Sequence, residues 1–269
     1  MNKNFAVFIL SHSRASNIKT IKTLRNSGYT GRIFIVLDDE DVMKEDYIRI
    51  YGTKNVIVFS KEEWKKKTDT ITNEKDYESP VYARNFISCF AKEKGYKYYM
   101  MLDDDITSFN IRYIKNGKLK SCKLKNADSY FFNITKFMET NKHISYIGTG
   151  NAGSYIGGAE GRFSKGIHIG DFSQSLLCSK QVEFKGIFNE DENMSMIESM
   201  VGNLCMVDLH VSHSSPKRKS NKGGLKKEYD STNDYYINMF SVICCPSCCY
   251  IVLGKKRIKL ESREGISIS

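Results

Sequence analysis

The stretch Tyr98-Tyr99-Met100-Met101-Leu102-Asp103-Asp104-Asp105-Ile106 decides how the chain is read. Five oily residues run straight into three carboxylates, and apolar sequence then resumes. An unbroken apolar run of strand length fits a strand buried on both faces, as in a parallel sheet covered by helices. Three like charges at the end of such a strand repel one another. Two unit charges 4 Å apart cost about 1 kcal/mol in water, and roughly 4 kcal/mol at the effective dielectric near a protein surface. A divalent cation bridging to phosphate oxygens removes that cost, and Mg²⁺ or Mn²⁺ binds well through one or two carboxylates plus substrate phosphates. In extended chain, Asp103 and Asp105 point one way and Asp104 the other. The plainer alternative is a helix N-cap with spare acids.

Upstream the pattern is β-α-β-α-β. Phe5 to Leu10 is a buried strand. A helix runs from Ser16, its expected cap, to Arg25, with Ile18, Ile21 and Leu24 at spacing three and Gly28 as its stop. Arg32 to Leu37 is a second strand ending in Asp38-Asp39, residues 41 to 51 form a helix, and Val56 to Phe59 is a third strand. Lys61 to Glu78 reads as a charged loop with a short helix. Pro80 opens a helix whose apolar face is Val81, Phe86, Ile87, Phe90 and Ala91. This alternation predicts a parallel α/β layer. Ligands bind beyond the C-terminal ends of such strands. Ser11-His12, Asp38-Asp39 and Asp103 are therefore expected on one edge, forming a site. Arg14 and Arg84 are cations that could pair with diphosphate oxygens or form ordinary salt bridges.

Downstream of residue 106 the strands shorten. A helix is expected from Tyr130 to Met138. A glycine-rich stretch from Gly148 to Gly170 reads either as turns or as a loop close to a ligand. Val182 to Phe188 leads into Glu190-Asp191-Glu192, with a helix at 192 to 201. These acids are either a first turn favoured by the helix dipole or a source of the general base that an oxygen nucleophile needs. Met206 to Val211 is a strand, and a basic loop follows to Lys227. Its segment Lys217 to Lys227 carries six basic residues in eleven. That loop is either simply solvated or holds the phosphates of a polymer or a leaving nucleotide. His213, entering the loop, is either a third metal ligand or a surface or capping histidine. A further helix is expected from Tyr235 to Phe240. Cys244-Cys245-Pro246-Ser247-Cys248-Cys249 has no second Cys/His pair at finger spacing, and reads as small buried hydrophobes in a core segment. No phosphate-loop or strand-linked dinucleotide motif is present.

The 269 residues, 41% of them apolar, suit one domain with a real core. The net charge of +10 favours a polyanionic partner, or else marks a lysine-rich surface with no specific role. Phe5 to Leu10 is too short for a signal peptide, and the longest apolar stretch, Val242 to Leu253, falls well short of the ~20 residues of a spanning helix. The expectation is a soluble cytoplasmic protein with reduced thiols and no membrane partner.

"ILSHSR", "IVLDDED", "YARN" and "LDDDI" resemble the nucleotide-sugar half of a GT-A glycosyltransferase. "YGTKNVIVFSKEEW", "GIFNEDENM" and "KGGLKKEY…FSVICCPSCCYIVLG" extend the likeness to the TET/JBP-associated glycosyltransferases of phages and bacteria. The resemblance implies an α/β fold of GT-A type: a mostly parallel central sheet flanked by helices, with a more irregular α+β acceptor half. It implies one catalytic domain, 1–106 binding the nucleotide-sugar and 107–269 the acceptor. It also implies transfer from a UDP-sugar such as UDP-glucose to a hydroxymethylated pyrimidine in DNA, with manganese or magnesium, in the host cytoplasm if phage-encoded. Carried over, Asp105, with Asp103, serves the metal and the ribose; His213, from its own place at the loop, is the candidate third ligand beside them. Ser11, His12, Arg14, Asp38, Asp39, Arg84 and Asp104 line the nucleotide-sugar, with Asp39 near the uracil and Arg84 near the sugar or diphosphate. Lys222, Gly223 and Gly224 complete that set. Asp191, beside Glu190, is the base if the enzyme inverts. The cysteine pairs around Pro246 depart from the pattern. Two competing readings are a glycosyltransferase acting on a polysaccharide, lipid or protein, and a non-catalytic nucleic-acid-binding protein. A metal nuclease or nucleotidyltransferase would need further acids on neighbouring strands.

Overall fold

The computed structural model describes residues 4–73, 78–151, 167–169, 175–216, 232–253 and 258–262. The first half alternates as expected: β1 (Phe5–Leu10), α1 (Lys19–Asn26), β2 (Ile33–Asp38), α2 (Lys44–Tyr51), β3 (Val56–Phe59), α3 (Lys61–Lys67), α4 (Val81–Glu93) and β4 (Tyr98–Asp103). The second half holds β5 (Ser108–Lys115), β6 (Lys118–Lys123), α5 (Ala127–Thr140), β7 (Ile144–Asn151), β8 (Ile167–Ile169) and β9 (Ser175–Cys178). It continues with α6 (Glu190–Met200), β10 (Leu204–Ser214), α7 (Asp234–Cys244), β11 (Cys249–Leu253) and β12 (Ile258–Ser262).

One large sheet runs in the order β3-β2-β1-β4-β9-β7-β10-β5-β6, with β8 also paired to β10. β3, β2, β1 and β4 pair in parallel, which is the layer the apolar runs predict. The expectation of a mostly parallel sheet does not extend further. Among the described residues only β7 and β10 add a parallel pair; the contacts of β9 with β4 and β7, and of β10 with β5 and β8, are antiparallel, as is β5 with β6. The reason is connectivity. A parallel pair needs a long crossover, whereas β5 reaches β6 through two residues, Asn116-Gly117, both at positive φ, as a tight hairpin turn requires. β11 and β12 form a separate hairpin.

Helices cover both faces, which explains the continuous apolar strands. Along β4, Tyr98, Met100 and Leu102 join the core that includes residues of α1, α2 and α5. Tyr99 and Met101 join the core that includes residues of α4 and α6. Several helix bounds differ from the sequence reading. α1 starts after Ile18, and Ser16 does not cap it. Instead the Thr20 N–H donates to the Asp104 carbonyl at 3.2 Å and its hydroxyl to the Asp103 carbonyl at 2.6 Å, so the carboxylate turn itself satisfies the helix end. α5 is longer than expected because Asn126 caps it, accepting from the Ser129 N–H. α6 begins at Glu190 rather than 192.

Candidate active site

The ends of β1, β2 and β4 lie side by side, with Leu10 paired to both Val36 and Asp103. The first rim residues hold one another. Nδ1 of His12 lies 3.0 Å from Asp38, and Asp38 also accepts from the Glu40 N–H. The Asp38 bond raises the pKa of His12 above its ordinary value despite the opposing effect of burial. For Asp38, burial pushes upward, but the His12 bond, the His12 charge and Lys61 outweigh it, and the net shift is down. Asp39 is exposed and accepts from the Lys61 N–H at 2.9 Å.

The acid trio splits. The strand stops at Asp103, and residues 104 and 105 form a turn, so strand alternation does not govern Asp105. Asp104 is buried on the α2 side, accepting from Ser11 Oγ at 2.6 Å and Arg14 Nη1 at 2.7 Å. Tyr47 closes this knot, its hydroxyl 2.7 Å from Ser11 Oγ and accepting from the Arg14 N–H at 2.8 Å. Ser11, Arg14 and Asp104, expected to line the nucleotide, thus form an internal network beneath the rim. The pKa of Asp105 is raised, by burial and by Asp104, against Arg14 and Lys19.

Asp103 takes the face of Tyr99 and Met101 and meets the buried Arg84, which is 3% exposed. Arg84 Nη2 donates to Asp103 at 3.5 Å, and its Nε lies 3.4 Å from Glu190 Oε1. The Phe184 ring lies 5.7 Å from the guanidinium carbon. One cation therefore joins two acid clusters distant in sequence. Burial lowers the pKa of Arg84, but Asp103, Glu190 and Asp191 outweigh it, and the net shift is up. Although 29% of the Asp103 side chain is exposed, desolvation, opposed by Arg84 and reinforced by Asp105, Asp104 and Asp191, pushes its carboxyl up to about 7. Burial and the adjacent Asp191 push Glu190 up to about 8. Asp191 is half-buried in the first turn of α6. Arg84 Nε has no hydrogen-bond partner among the described residues.

The placement of Glu190 rests on residues that sequence reasoning missed. Asn85 and Ser88 of α4, buried among its apolar neighbours, grip the irregular chain 182–188 as a strand would. Asn85 donates to the Phe184 carbonyl at 2.9 Å and accepts its N–H at 2.8 Å. Ser88 donates to the Val182 carbonyl and accepts its N–H, and Ser79 donates to the Ile187 carbonyl. Gly186 then turns the chain at φ +84°, where an added Cβ would meet Asn193 Nδ2 at 2.9 Å. The available signal was polar residues on the inner side of a helix; Asn85 even sits beside Arg84. Tyr47 and Asp41 carried no comparable signal, yet Asp41 accepts from the Ser13 and Met43 N–H groups at the foot of the rim.

His213 does not join the acids. β10 runs on to Ser214 because β5 pairs with it, so His213 lies within the strand, opposite Phe109. It shares the face of Val211 and Phe109, both in the core that includes α1 and α5, away from the face of Asp103. Its ring is 1% exposed, Nδ1 lies 2.8 Å from Thr149 Oγ1, and burial holds its pKa down to about 4. Among the described residues, no three His, Cys, Asp or Glu side chains group so as to hold a metal ion. A two-carboxylate donor set, Asp103 with Asp105, still suits a hard cation that takes its other ligands from phosphates and water. Lys222, Gly223 and Gly224, and most of the glycine-rich stretch, lie outside the described residues. Three of the cysteines flanking Pro246, Cys245, Cys248 and Cys249, are buried and pack with Met196, as expected of a core segment.

Fold and rim together define an α/β protein with an acidic edge at the ends of its parallel strands. A family model of TET-associated glycosyltransferases matches residues 5–224, and the chain belongs to that family; it is a glycosyltransferase. No curated protein matches the chain. No helix among the described residues is long and apolar enough to cross a membrane.

Proposed function

We propose that the protein transfers a sugar from a UDP-sugar, UDP-glucose foremost, to a hydroxymethylated pyrimidine in DNA. The observation that carries this reading is Arg84 bridging Asp103 and Glu190. It sets the strand-end acids expected to meet the nucleotide beside the helix-end acids expected to take a proton. The run β3-β2-β1-β4, parallel with its ends aligned, supports a GT-A arrangement in which residues 1–106 bind the nucleotide-sugar and 107–269 the acceptor.

Asp103 and Asp105 would hold Mn²⁺ or Mg²⁺, which supplies positive charge against the departing diphosphate. Burial first, and then the neighbouring carboxylates, raise both pKa values, and a bound cation would offset both effects. Arg84 keeps its guanidinium charged between Asp103 and Glu190, so a fixed positive charge stands beside the diphosphate. The bond from the anomeric carbon to the diphosphate oxygen breaks as the bond to the acceptor hydroxymethyl oxygen forms. The hydroxyl proton passes to Asp191, more accessible than Glu190, which is engaged with Arg84. His12, Asp38 and Asp39 line the nucleoside end of the rim. The +10 charge gathers DNA through its phosphates, and a target inside a duplex is flipped to reach the rim. The setting is cytoplasmic, where DNA and reduced thiols coexist.

The test is UDP release from UDP-sugars with Mn²⁺, with and without DNA carrying hydroxymethylcytosine or hydroxymethyluracil, read beside the mass of the recovered nucleosides. Release that requires modified DNA and adds a sugar mass is expected. Transfer to glycans without any DNA dependence would sink the acceptor assignment, and DNA binding without turnover would leave a binding protein. In the same assay Asp191→Asn is expected to bind UDP and lose turnover, and Asp105→Ala to lose metal-dependent UDP binding.

A further inference from the structure

Between Asp105 and Asp128 the chain carries Arg112, Lys115, Lys118, Lys120, Lys123 and Lys125 and no acidic residue. The structure gathers most of this run into the β5–β6 hairpin, whose outer strand β6 is the edge of the sheet. Lys115 stands directly across from Lys118, and Tyr113 across from Lys120. By strand alternation these four side chains share one face. Tyr113 is 41% exposed, and the three lysines are exposed with it. None of the three has an ion-pair partner among the described residues.

This pattern is not the ordinary surface of the protein. In α3, which is equally lysine-rich, Lys66 pairs with Glu62 and Lys67 with Glu63. Like charges directly opposite on a hairpin destabilise it. One or two edge charges suffice to discourage strand addition, so edge protection does not account for a 22-residue stretch, Ile106 to Ala127, without a single acid. The hairpin also starts at the rim: β5 begins three residues after Asp105, with the Thr107 N–H donating to the Ser214 carbonyl at 2.8 Å. Eight strand residues reach roughly 27 Å, which spans about eight base pairs at 3.4 Å each.

We infer that the Tyr113, Lys115, Lys118 and Lys120 face of the β5–β6 hairpin binds the phosphate backbone of duplex DNA, holding the duplex while a target base is presented at the rim. The inference rests on the DNA-acceptor reading and adds the surface that carries the affinity. Phosphate contacts of this kind set position and give salt-dependent affinity without choosing sequence.

The experiment measures binding of a fluorescent unmodified duplex across a salt series, for wild type and for K115A/K118A/K120A, with Mn²⁺-dependent UDP binding in the absence of DNA as a control. The triple variant is expected to bind about 10–100-fold more weakly near physiological salt, and its log-log salt slope to fall by about two to three. UDP binding should be unchanged, and Lys→Arg at the same three positions should restore duplex affinity. Unchanged affinity and slope in the alanine variant would overturn the hairpin assignment while leaving the DNA reading in place. So would a variant that self-associates without losing DNA, because the lysines would then be edge guards. A wild-type protein with no affinity for any duplex would overturn both.

Discussion

The acid rim and the β5–β6 hairpin handle charge in opposite ways. At the rim, one buried arginine faces Asp103 and Glu190 with Asp191 near, and its worth depends on geometry in a desolvated setting. On the hairpin, Lys115, Lys118 and Lys120 stand in water facing no carboxylate among the described residues, and their worth depends on a partner from outside. The first arrangement is costly to disturb and contributes to both fold and chemistry. The second is nearly neutral for the fold. A net charge of +10 is therefore a poor guide by itself: what matters is which cations have an internal counter-charge.

The contrast is broken most directly at Arg84. Arg84→Met leaves Asp103 and Glu190 without their shared cation, and is expected to cost about 3–5 kcal/mol in urea unfolding and to abolish turnover. Lysine, lacking the planar fork, should restore only part of either. A loss below 1 kcal/mol would mean that the rim is no more coupled to the fold than the hairpin.

Beneath the rim, Tyr47→Phe removes the hydroxyl shared by Ser11 and the Arg14 N–H. A loss of about 1–3 kcal/mol is expected for groups left unpaired in a buried network, measured by the same unfolding curves.

The His12–Asp38 pair sharpens the comparison at a half-exposed site. The folded pKa of His12 is raised, so its contribution is complete below the ordinary value of 6.5 and disappears as pH rises through the folded pKa. The folded pKa of Asp38 is lowered, so its share is present above 3.8 and is lost as pH falls through the lower folded value. Wild type should therefore exceed His12→Gln by up to about 1 kcal/mol in mildly acid solution, with the gap closing as pH rises through the raised folded pKa of His12. A gap that widens with pH would reverse the assigned protonation.

The smallest effect belongs to the hairpin. The K115A/K118A/K120A variant should change unfolding free energy by no more than about 0.5 kcal/mol per site, and in the favourable direction at low salt as like charges are removed. A large destabilisation would show that these lysines support the fold.

Several features were legible in the residues alone. The apolar runs at Phe5, Ile33 and Tyr98 are buried on both faces because helices cover both sides, and local periodicity reports that environment directly. The acid clusters and Arg84 stood out as charges beside apolar strands and turns. The antiparallel half was not legible. β5 and β6 are basic and largely exposed, and their pairing is set by a two-residue turn and by β10 rather than by an apolar run. His213 misled for the same reason: its neighbours look like the start of a loop until β5 is known to extend β10.

The order of elements in the first half, the acidic strand end and the membership of a glycosyltransferase family follow from the sequence by itself, because each is written in neighbouring residues. Tertiary structure alone decided that Asp104 turns inward to Ser11 and Arg14, that Asp103 shares Arg84 with Glu190, and that His213 is buried on the opposite face. Those outcomes depend on which strands become neighbours and which sheet face a helix covers. They are settled by burying apolar area and satisfying backbone hydrogen bonds over the whole chain, and no local spacing carries that information.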